Sequence, residues 1–143
     1  MAFKIFLDTN IVMDFFVPSR KDHENAKEVI GFAEEGDILG FLSESVVNTT
    51  AYLVRKSIYF DDFKLLMNEL IGIVSVLPCS NQIIHNAYRR AQNDLEDAVL
   101  YQIALEHNLD YFVTSDIKDY KKIALASLPV ITSSQLIKLI KNL

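Results

Sequence analysis

The sequence contains a single cysteine, Cys79, among its 143 residues. One cysteine excludes an internal disulfide, which is typical of proteins from a reducing compartment. No Cys or His motif surrounds Cys79, so we expect it to serve in packing. The apolar runs are too short to span a bilayer, and Asp8 interrupts any cleavable signal at the N-terminus. These absences predict a cytoplasmic protein without a membrane partner.

Glycine and proline are also scarce, while half of the residues are hydrophobic. This composition indicates an ordered globular chain, and its length predicts one domain covering residues 1–143. No glycine-rich phosphate loop and no Ser-His-Asp order with a nucleophile elbow are present, which argues against those two classes of hydrolase. The three histidines are too scattered along the chain to form a zinc site: His23, His85 and His107.

Positive charge is in deficit, since the formal net charge is −5. Nucleic-acid-binding proteins are usually basic, so the sum alone argues against that class. It does not exclude an enzyme that gathers its acids in one metal site and surrounds that site with basic residues. The positions of the acids therefore matter more than the total.

Short apolar runs alternate with stretches of helical periodicity. This alternation is the signature of a parallel sheet with right-handed crossovers and helices on both faces. We predict an α/β fold, a three-layer α/β/α sandwich whose roughly five parallel strands lie near residues 3–7, 38–42, 73–77, 111–114 and 128–132. Among the helices between them, we expect buried stripes that include Val47, Ala51, Val54 and Ile58 in one helix, and Ile83, Ile84, Ala87, Tyr88 and Ala91 in another.

Two acids follow predicted strands directly. Asp8 ends the first strand, and Asp116 comes two residues after the fourth. Ligands of open α/β sheets lie outside the carboxyl ends of the strands, which favours a functional site. Asp is also a good helix N-cap, and the opening stretch alone leaves Asp8 equally open to that role. The two acids would meet only if their strands are neighbours.

A second group of acids, Asp94, Glu96 and Asp97, precedes the fourth strand at the start of a helix. Glu96 and Asp97 extend the apolar stripe of that helix, so we expect them to point toward the rim of the core. First-turn acids are also common as helix caps, and that interpretation stays open. Asp119 is more simply a turn residue.

Carboxylates that converge in a partly buried pocket repel one another and raise each other's pKa values. A divalent cation makes such a cluster tolerable. Oxygen ligands without Cys or His select hard ions, so the predicted cofactor is Mg²⁺ or Mn²⁺.

Three blocks of the sequence carry a further signal: residues 7–14 (LDTNIVMD), 95–98 (LEDA) and 113–120 (VTSDIKDY). In this order the blocks resemble the PIN-domain family, and in particular small stand-alone bacterial PIN proteins related to toxin–antitoxin ribonucleases. The resemblance covers essentially the whole chain. It implies Mg²⁺- or Mn²⁺-dependent cleavage of single-stranded or structured RNA. The site residues that it implies are the metal-binding acids Asp8, Asp97 and Asp116, the bracing residue Asn10, the supporting Thr114 and the extra acid Asp119.

The sequence departs from the family pattern in the helix after the second strand, which usually carries a glutamate. Asn48 or Thr49 falls at that place. Glu44, one turn earlier, is either the substitute carboxylate or, as we favour, a plain first-turn acid. A missing ligand would weaken a second metal more than the first, so catalysis with two ions is in question.

The implied mechanism also assigns supporting roles. Glu96 or Asp119 would orient the attacking water. Five basic residues would hold the RNA backbone, unless they serve only solubility: Arg55, Lys56, Lys118, Lys121 and Lys122. Tyr52 and Tyr120 are candidates for base stacking, although aromatic residues at helical spacing are more often core.

The resemblance further implies a homodimer, with the apolar helices around residues 63–70 and 83–91 as candidate surfaces, and a small antitoxin partner. The alternative is a catalytically degenerate PIN domain that binds RNA or a protein. Two other α/β classes fit less well. A haloacid-dehalogenase-like phosphatase needs an acid where Asn10 stands, and a response-regulator receiver needs a phospho-acceptor Asp after the third strand, where residues 77–80 supply none.

Overall fold

Five parallel strands form the centre of the molecule in the computed structural model, which describes residues 2–143. Their spatial order is β3-β2-β1-β4-β5, so the first strand lies in the middle. This arrangement confirms the predicted parallel α/β sandwich. The strands are β1 (Phe3–Leu7), β2 (Ile38–Ser43), β3 (Ser75–Leu77), β4 (Tyr111–Val113) and β5 (Val130–Ile131).

Eight helices connect and cover these strands within the described residues. They are α1 (Thr9–Phe16), α2 (His23–Glu35), α3 (Glu44–Val54), α4 (Phe60–Ile71), α5 (Asn81–Arg90), α6 (Leu95–Glu106), α7 (Ile117–Tyr120) and α8 (Ser133–Lys141). Helix α1 packs on α2 and α3, α2 packs on α8, and α5 packs on α6. None of the helices in residues 2–143 has the length and apolar character needed to cross a bilayer.

Several helix ends follow from local sequence. The side chains of Ser43, Ser80 and Asp94 each accept a hydrogen bond from a backbone N–H of the first turn, which satisfies a donor that the helix itself leaves free. Gly36 ends α2 with φ of 85°, a left-handed conformation that glycine adopts without a Cβ clash. The last helix, α8, is capped by Thr132.

Four details of the prediction were wrong. The buried face of α3 is formed by Val46, Thr50 and Val54, so the predicted stripe was displaced by one residue over most of its length. In α5 only Ile83 and Ala87 are buried, while Ile84 and Tyr88 lie on the exposed flank. The stretch after β4, predicted as a turn, forms helix α7. Cys79, expected to pack, is exposed after the short edge strand β3.

The pairing of β1 with β4 positions the acids. Ile5 lies opposite Tyr111 and Leu7 opposite Val113 in a parallel register. The backbone N–H of Asp8 continues this ladder by donating to the carbonyl oxygen of Val113 at 3.0 Å. The residues after both strands therefore leave the sheet at the same edge, as the strand-end acids require.

Gly40 in the centre of β2 permits a close approach between the sheet and the segment before β3. A Cβ at this position would lie 2.8 Å from Cγ1 of Val74, a buried β-branched side chain with little freedom to move. Gly31 in helix α2 has open space around the same atom. Of these two glycines, only Gly40 lies where a side chain would meet a neighbour.

Alanine substitutions at these glycines should change stability in opposite directions. We expect Gly40→Ala to lower the free energy of unfolding by about 1–3 kcal/mol because of overpacking. Gly31→Ala should raise it by about 0.5–1 kcal/mol because a helix interior favours alanine. Urea denaturation of both variants measures the two effects, and a change of the same sign in both would contradict this account of Gly40.

Candidate active site

A cleft of about 410 Å³ opens at the carboxyl ends of β1 and β4. It is bordered by α1, α3 and α6. The three predicted metal-binding acids lie in its wall together with predicted supporting residues; the lining comprises Asp8, Thr9, Asn10, Met13, Thr49, Leu53, Glu96, Asp97, Leu100 and Asp116. The sheet order thus brings together acids separated by up to 108 positions in the sequence (8 to 116).

Asp8 is the buried acid of this cleft, with 4% of its surface exposed. Its Oδ1 accepts the backbone N–H of Thr9 at 2.8 Å, so Asp8 also caps α1. Its Oδ2 accepts the hydroxyl of Thr114 at 2.7 Å and that of Tyr120 at 3.0 Å. The two interpretations of Asp8, as a cap and as a residue of the cleft, therefore hold together.

Asn10 links the first helix to the segment after β4. Its Nδ2 lies 3.0 Å from Oδ2 of Asp116, 3.1 Å from Oγ1 of Thr114 and 3.3 Å from Oδ2 of Asp8. Its Oδ1 accepts the backbone N–H of Ser115 at 3.0 Å. Asn10 therefore contacts both strand-end acids of the cleft, Asp8 and Asp116.

Tyr120 is fully buried, so the suggestion that it stacks on RNA bases was wrong. Its hydroxyl lies 3.0 Å from Oδ2 of Asp8 and 3.1 Å from Oδ1 of Asp97. The ring completes an aromatic group with Phe112 and Tyr101. The hydroxyl thus reaches the cleft from the interior of the protein.

Burial dominates the electrostatics of these groups. Desolvation raises the pKa of the Asp8 carboxyl, while hydrogen bonds from Thr114, the Thr9 N–H and Tyr120 oppose the shift. Desolvation, followed by the negative charges of Asp94 and Asp8, raises the pKa of Asp97 to about 7. Burial also raises the pKa of Tyr120, and both acids add to this effect, so its hydroxyl keeps its proton.

The three acids at the start of α6 occupy different positions. Asp94 caps the helix, because its Oδ1 accepts the backbone N–H of Asp97 at 2.8 Å. The side chains of Glu96 and Asp97 line the cleft. Both interpretations of this cluster therefore hold, each for different residues. Asp119 in α7 is exposed and does not line the cleft, although its charge contributes to the raised pKa of Asp97.

Helix α3 contributes Thr49 to the cleft, at the side where the resemblance implies a glutamate. Asn48 and Glu44 instead help to line a separate depression of about 490 Å³ beside β3, together with Cys79. Glu44 is exposed and does not replace the absent carboxylate. The side of the cleft that α3 forms therefore consists of Thr49, which carries a hydroxyl, and Leu53.

The five predicted RNA-binding cations are exposed, and none of them forms an ion pair within residues 2–143. Arg55 follows α3 and stacks on the ring of Tyr52, with its guanidinium carbon 3.8 Å from the ring centre. Lys56 comes next to it. Lys118 lies in α7 between Asp116 and Asp119, and Lys121 and Lys122 follow that helix. These cations are close in the sequence to Leu53 and Asp116 of the cleft, but they do not line the cleft themselves.

The donor set fits a hard cation in its chemistry, since it consists of carboxylate, hydroxyl and amide oxygens. The buried hydroxyl of Thr9, in the cleft wall, has no hydrogen-bond partner in the described chain. As the side chains stand, however, no three His, Cys, Asp or Glu residues of 2–143 are grouped closely enough to hold an ion. Tyr120 and Asn10 lie between the acids, and the carboxylates would have to close around a cation.

The sequence model of the PIN-domain family matches residues 4–118 of this chain. The chain belongs to the PIN-domain family. The matched region begins within β1 and extends through β4, and it contains all the acids of the cleft. It ends inside α7, before Tyr120.

This PIN domain is similar to one protein in sequence and to two solved structures in fold. Ribonuclease VapC1 of Aquifex aeolicus (strain VF5) is 25% identical over 122 residues, which cover 79% of this chain and 81% of the relative. The crystal structure of VapBC2 from Rickettsia felis bound to a DNA fragment from their promoter contains a chain similar in fold, with a TM-score of 0.67 and 17% identity. The match covers 90% of this PIN domain and 98% of that chain. Mycobacterium tuberculosis VapC20, a Sarcin-Ricin loop cleaving toxin, has a TM-score of 0.61 and 14% identity over 76% of this PIN domain and 86% of its own chain.

Sequence reasoning missed two contacts near the cleft. No sequence pattern indicated that Tyr120 is buried against the acids, because a four-residue helix is too short to show periodicity. Asp14, one turn after Asn10, is buried and forms an ion pair with Arg20, whose Nε lies 2.7 Å from its Oδ1. An acid inside an apolar helix was the available signal for this pair, since a buried charge needs a partner.

Removing the Asp97 carboxyl should flatten the dependence of stability on pH. The folded protein holds this proton up to pH about 7, whereas the unfolded chain releases it near the ordinary pKa of 3.8. The contribution of Asp97 to the free energy of unfolding therefore falls as the pH rises between those values. We expect Asp97→Asn, which keeps an oxygen for Tyr120, to lose less stability over this interval in urea denaturation with EDTA.

The control is Glu34→Gln, which removes an exposed acid of α2. It should keep the pH dependence of the wild type. A profile for Asp97→Asn as steep as that of the wild type would contradict the electrostatic account of the cleft.

Proposed function

We propose that this PIN domain is a Mg²⁺- or Mn²⁺-dependent endoribonuclease of the VapC toxin type. The observation that carries the proposal is the convergence of Asp8, Asp97 and Asp116 on one cleft at the carboxyl edge of the sheet. The names of its relatives, a ribonuclease and a toxin that cleaves the Sarcin-Ricin loop, support the same activity.

The three acids have oxygens available for a ligand. Within residues 2–143, Oδ2 of Asp97 and Oδ1 of Asp116 accept no hydrogen bond, and Oδ1 of Asp8 accepts only the N–H of Thr9. The other oxygen of each acid is held by protein donors. We propose that Asp8, Asp97 and Asp116 hold the cation through their available oxygens.

A bound Mg²⁺ lowers the pKa of a coordinated water and polarises a phosphoryl oxygen. The chain's own residues supply the surroundings for phosphodiester hydrolysis. Glu96, which lines the cleft and is exposed, is the carboxylate that we assign to orienting the attacking water. Asn10 and Thr114 keep Asp8 and Asp116 in place. Asp119 acts on the site through its charge.

The cations outside the cleft are assigned to the RNA backbone. Phosphate contacts position a nucleic acid, and they also separate its charge from the acids of the site. Arg55 and Lys56 approach from α3, while Lys118, Lys121 and Lys122 approach from α7 and the segment that follows it. The exposed ring of Tyr52 beside Arg55 supplies a stacking surface.

We further propose a small antitoxin protein and a second copy of this chain as partners. The name of the VapBC2 complex and the family resemblance support these partners. Exposed apolar side chains on α4 and α5, among them Phe60, Leu65, Ile84 and Tyr88, are candidate contacts for the second copy.

A second candidate function is RNA or protein binding without cleavage. Thr49 in place of a carboxylate favours it. Thermal unfolding with Mg²⁺ or Mn²⁺ separates the two functions. A rise in Tm supports a metal site, and no shift at millimolar concentrations favours the binding module.

Asp8→Asn should abolish most of the metal-dependent RNA cleavage while the fold is retained. Loss of an outer partner of a metal ligand alone costs about 10- to 100-fold, so loss of a ligand should cost at least as much. Cleavage of a labelled RNA in the presence of Mg²⁺ or Mn²⁺ measures the effect, and circular dichroism checks the fold.

The matched control is Asp110→Asn, which removes the same charge at the opposite edge of the sheet, where Asp110 accepts the N–H of Lys4 at 2.8 Å. It should cleave as the wild type does. Undiminished cleavage by Asp8→Asn would end the assignment of the site.

Adding a carboxylate at Thr49 should tighten metal binding. Thr49→Glu places an acid on the cleft side of α3, and more ligand charge raises the affinity for a divalent cation. Titration calorimetry with Mn²⁺ gives the Kd. The control, Asn48→Glu, adds the same charge toward the other depression and should not tighten binding. Equal effects of both variants would indicate only a general gain in negative charge.

A further inference from the structure

The hydroxyl of Tyr120 is shared by two acids from distant parts of the chain. It lies 3.0 Å from Oδ2 of Asp8, at the end of β1, and 3.1 Å from Oδ1 of Asp97, in the first turn of α6. No other side chain of residues 2–143 hydrogen bonds to both acids. Tyr120 is therefore the direct connection between the two walls of the cleft.

The position of this hydroxyl is fixed by the packing of its ring. Tyr120 has no exposed surface, and its ring centre lies 4.6 Å from that of Phe112, a buried residue of β4. The ring of Tyr101 in α6 lies 6.4 Å away on the same side of the core. A ring held between a strand and a helix leaves its hydroxyl little freedom, because the interior is close-packed.

The hydroxyl contacts only one oxygen of each acid. At Asp8 the contacted atom is Oδ2, which also accepts Thr114 and Asn10, while Oδ1 accepts only the backbone N–H of Thr9. At Asp97 the contacted atom is Oδ1, and Oδ2 accepts no hydrogen bond from residues 2–143. The oxygens nearest the buried ring are thus occupied, whereas the other oxygens have no side-chain donor among residues 2–143.

We propose that Tyr120 is a positioning residue for the divalent cation. Its hydroxyl holds Asp8 and Asp97 from the interior and so orients their remaining oxygens for metal binding. Partners of this kind fix the orientation of metal ligands in many proteins. The inference rests on the proposed function, since it requires a cation in this cleft.

Tyr101 is the control for a buried tyrosine whose hydroxyl serves only the stability of the fold. It is also fully buried and belongs to the same aromatic group. Its hydroxyl, however, donates to the carbonyl oxygen of Leu128 at 2.6 Å and accepts the N–H of Leu125 at 2.8 Å, so it contacts the main chain and no acid. The two tyrosines differ chiefly in what their hydroxyls hold.

The test compares Tyr120→Phe with Tyr101→Phe in the absence of RNA. Each variant keeps the ring and loses one buried hydroxyl. Metal-free protein is titrated with Mn²⁺ by calorimetry, and free Mn²⁺ is followed independently by electron paramagnetic resonance. We expect Tyr120→Phe to bind Mn²⁺ about tenfold more weakly than the wild type. Tyr101→Phe should lose stability but keep the Kd of the wild type.

The rise in Tm produced by Mn²⁺ is a second measurement that remains readable in a destabilised variant. It should be smaller for Tyr120→Phe than for Tyr101→Phe. An unchanged or tighter Kd in Tyr120→Phe would overturn the inference and leave the metal site standing, as would equal weakening in both variants. A wild type that binds no Mn²⁺ would overturn the proposed function and this inference together.

Discussion

A negative charge buried at the end of the central strand is the constraint on which the other parts of this site depend. Asp8 has only 4% of its surface exposed, and an unpaired carboxylate at such a depth is costly. Hydrogen-bond donors offset this cost, and they come from three different segments. The N–H of Thr9 and the amide of Asn10 come from α1, the hydroxyl of Thr114 follows β4, and that of Tyr120 ends α7. Satisfying one carboxylate therefore fixes the relative positions of three segments.

The pattern of the chain was sufficient to predict the sheet and the place of the acids. Continuously apolar strands alternating with helices predict parallel pairing, and parallel strands end at one edge. This reasoning located Asp8 and Asp116 correctly, although the adjacency of β1 and β4 was a condition that periodicity could not supply. The pairing of strands is a long-range property, and the residues between them carry no local signal for it.

Two features of the cleft could not be predicted from local sequence patterns. The buried face of α3 was assigned mainly through Val47 and Ala51 instead of Val46 and Thr50. Successive residues of a helix point about 100° apart, so an error of one position moves a side chain to another face. For this reason the sequence could not decide between Asn48 and Thr49 as the residue of the cleft. Helix α7 has a single turn, too short to display the spacing that would have indicated a buried Tyr120.

The shared hydroxyl also has a thermodynamic consequence. Tyr120 has one hydrogen atom to donate and two acids within reach, so the bond it makes to Asp8 depends on the state of Asp97, and the reverse. Groups in one hydrogen-bond network do not act independently. The free-energy effects of changes at the two acids are therefore coupled, and a double-mutant cycle across them would measure the network and not the sum of two separate residues.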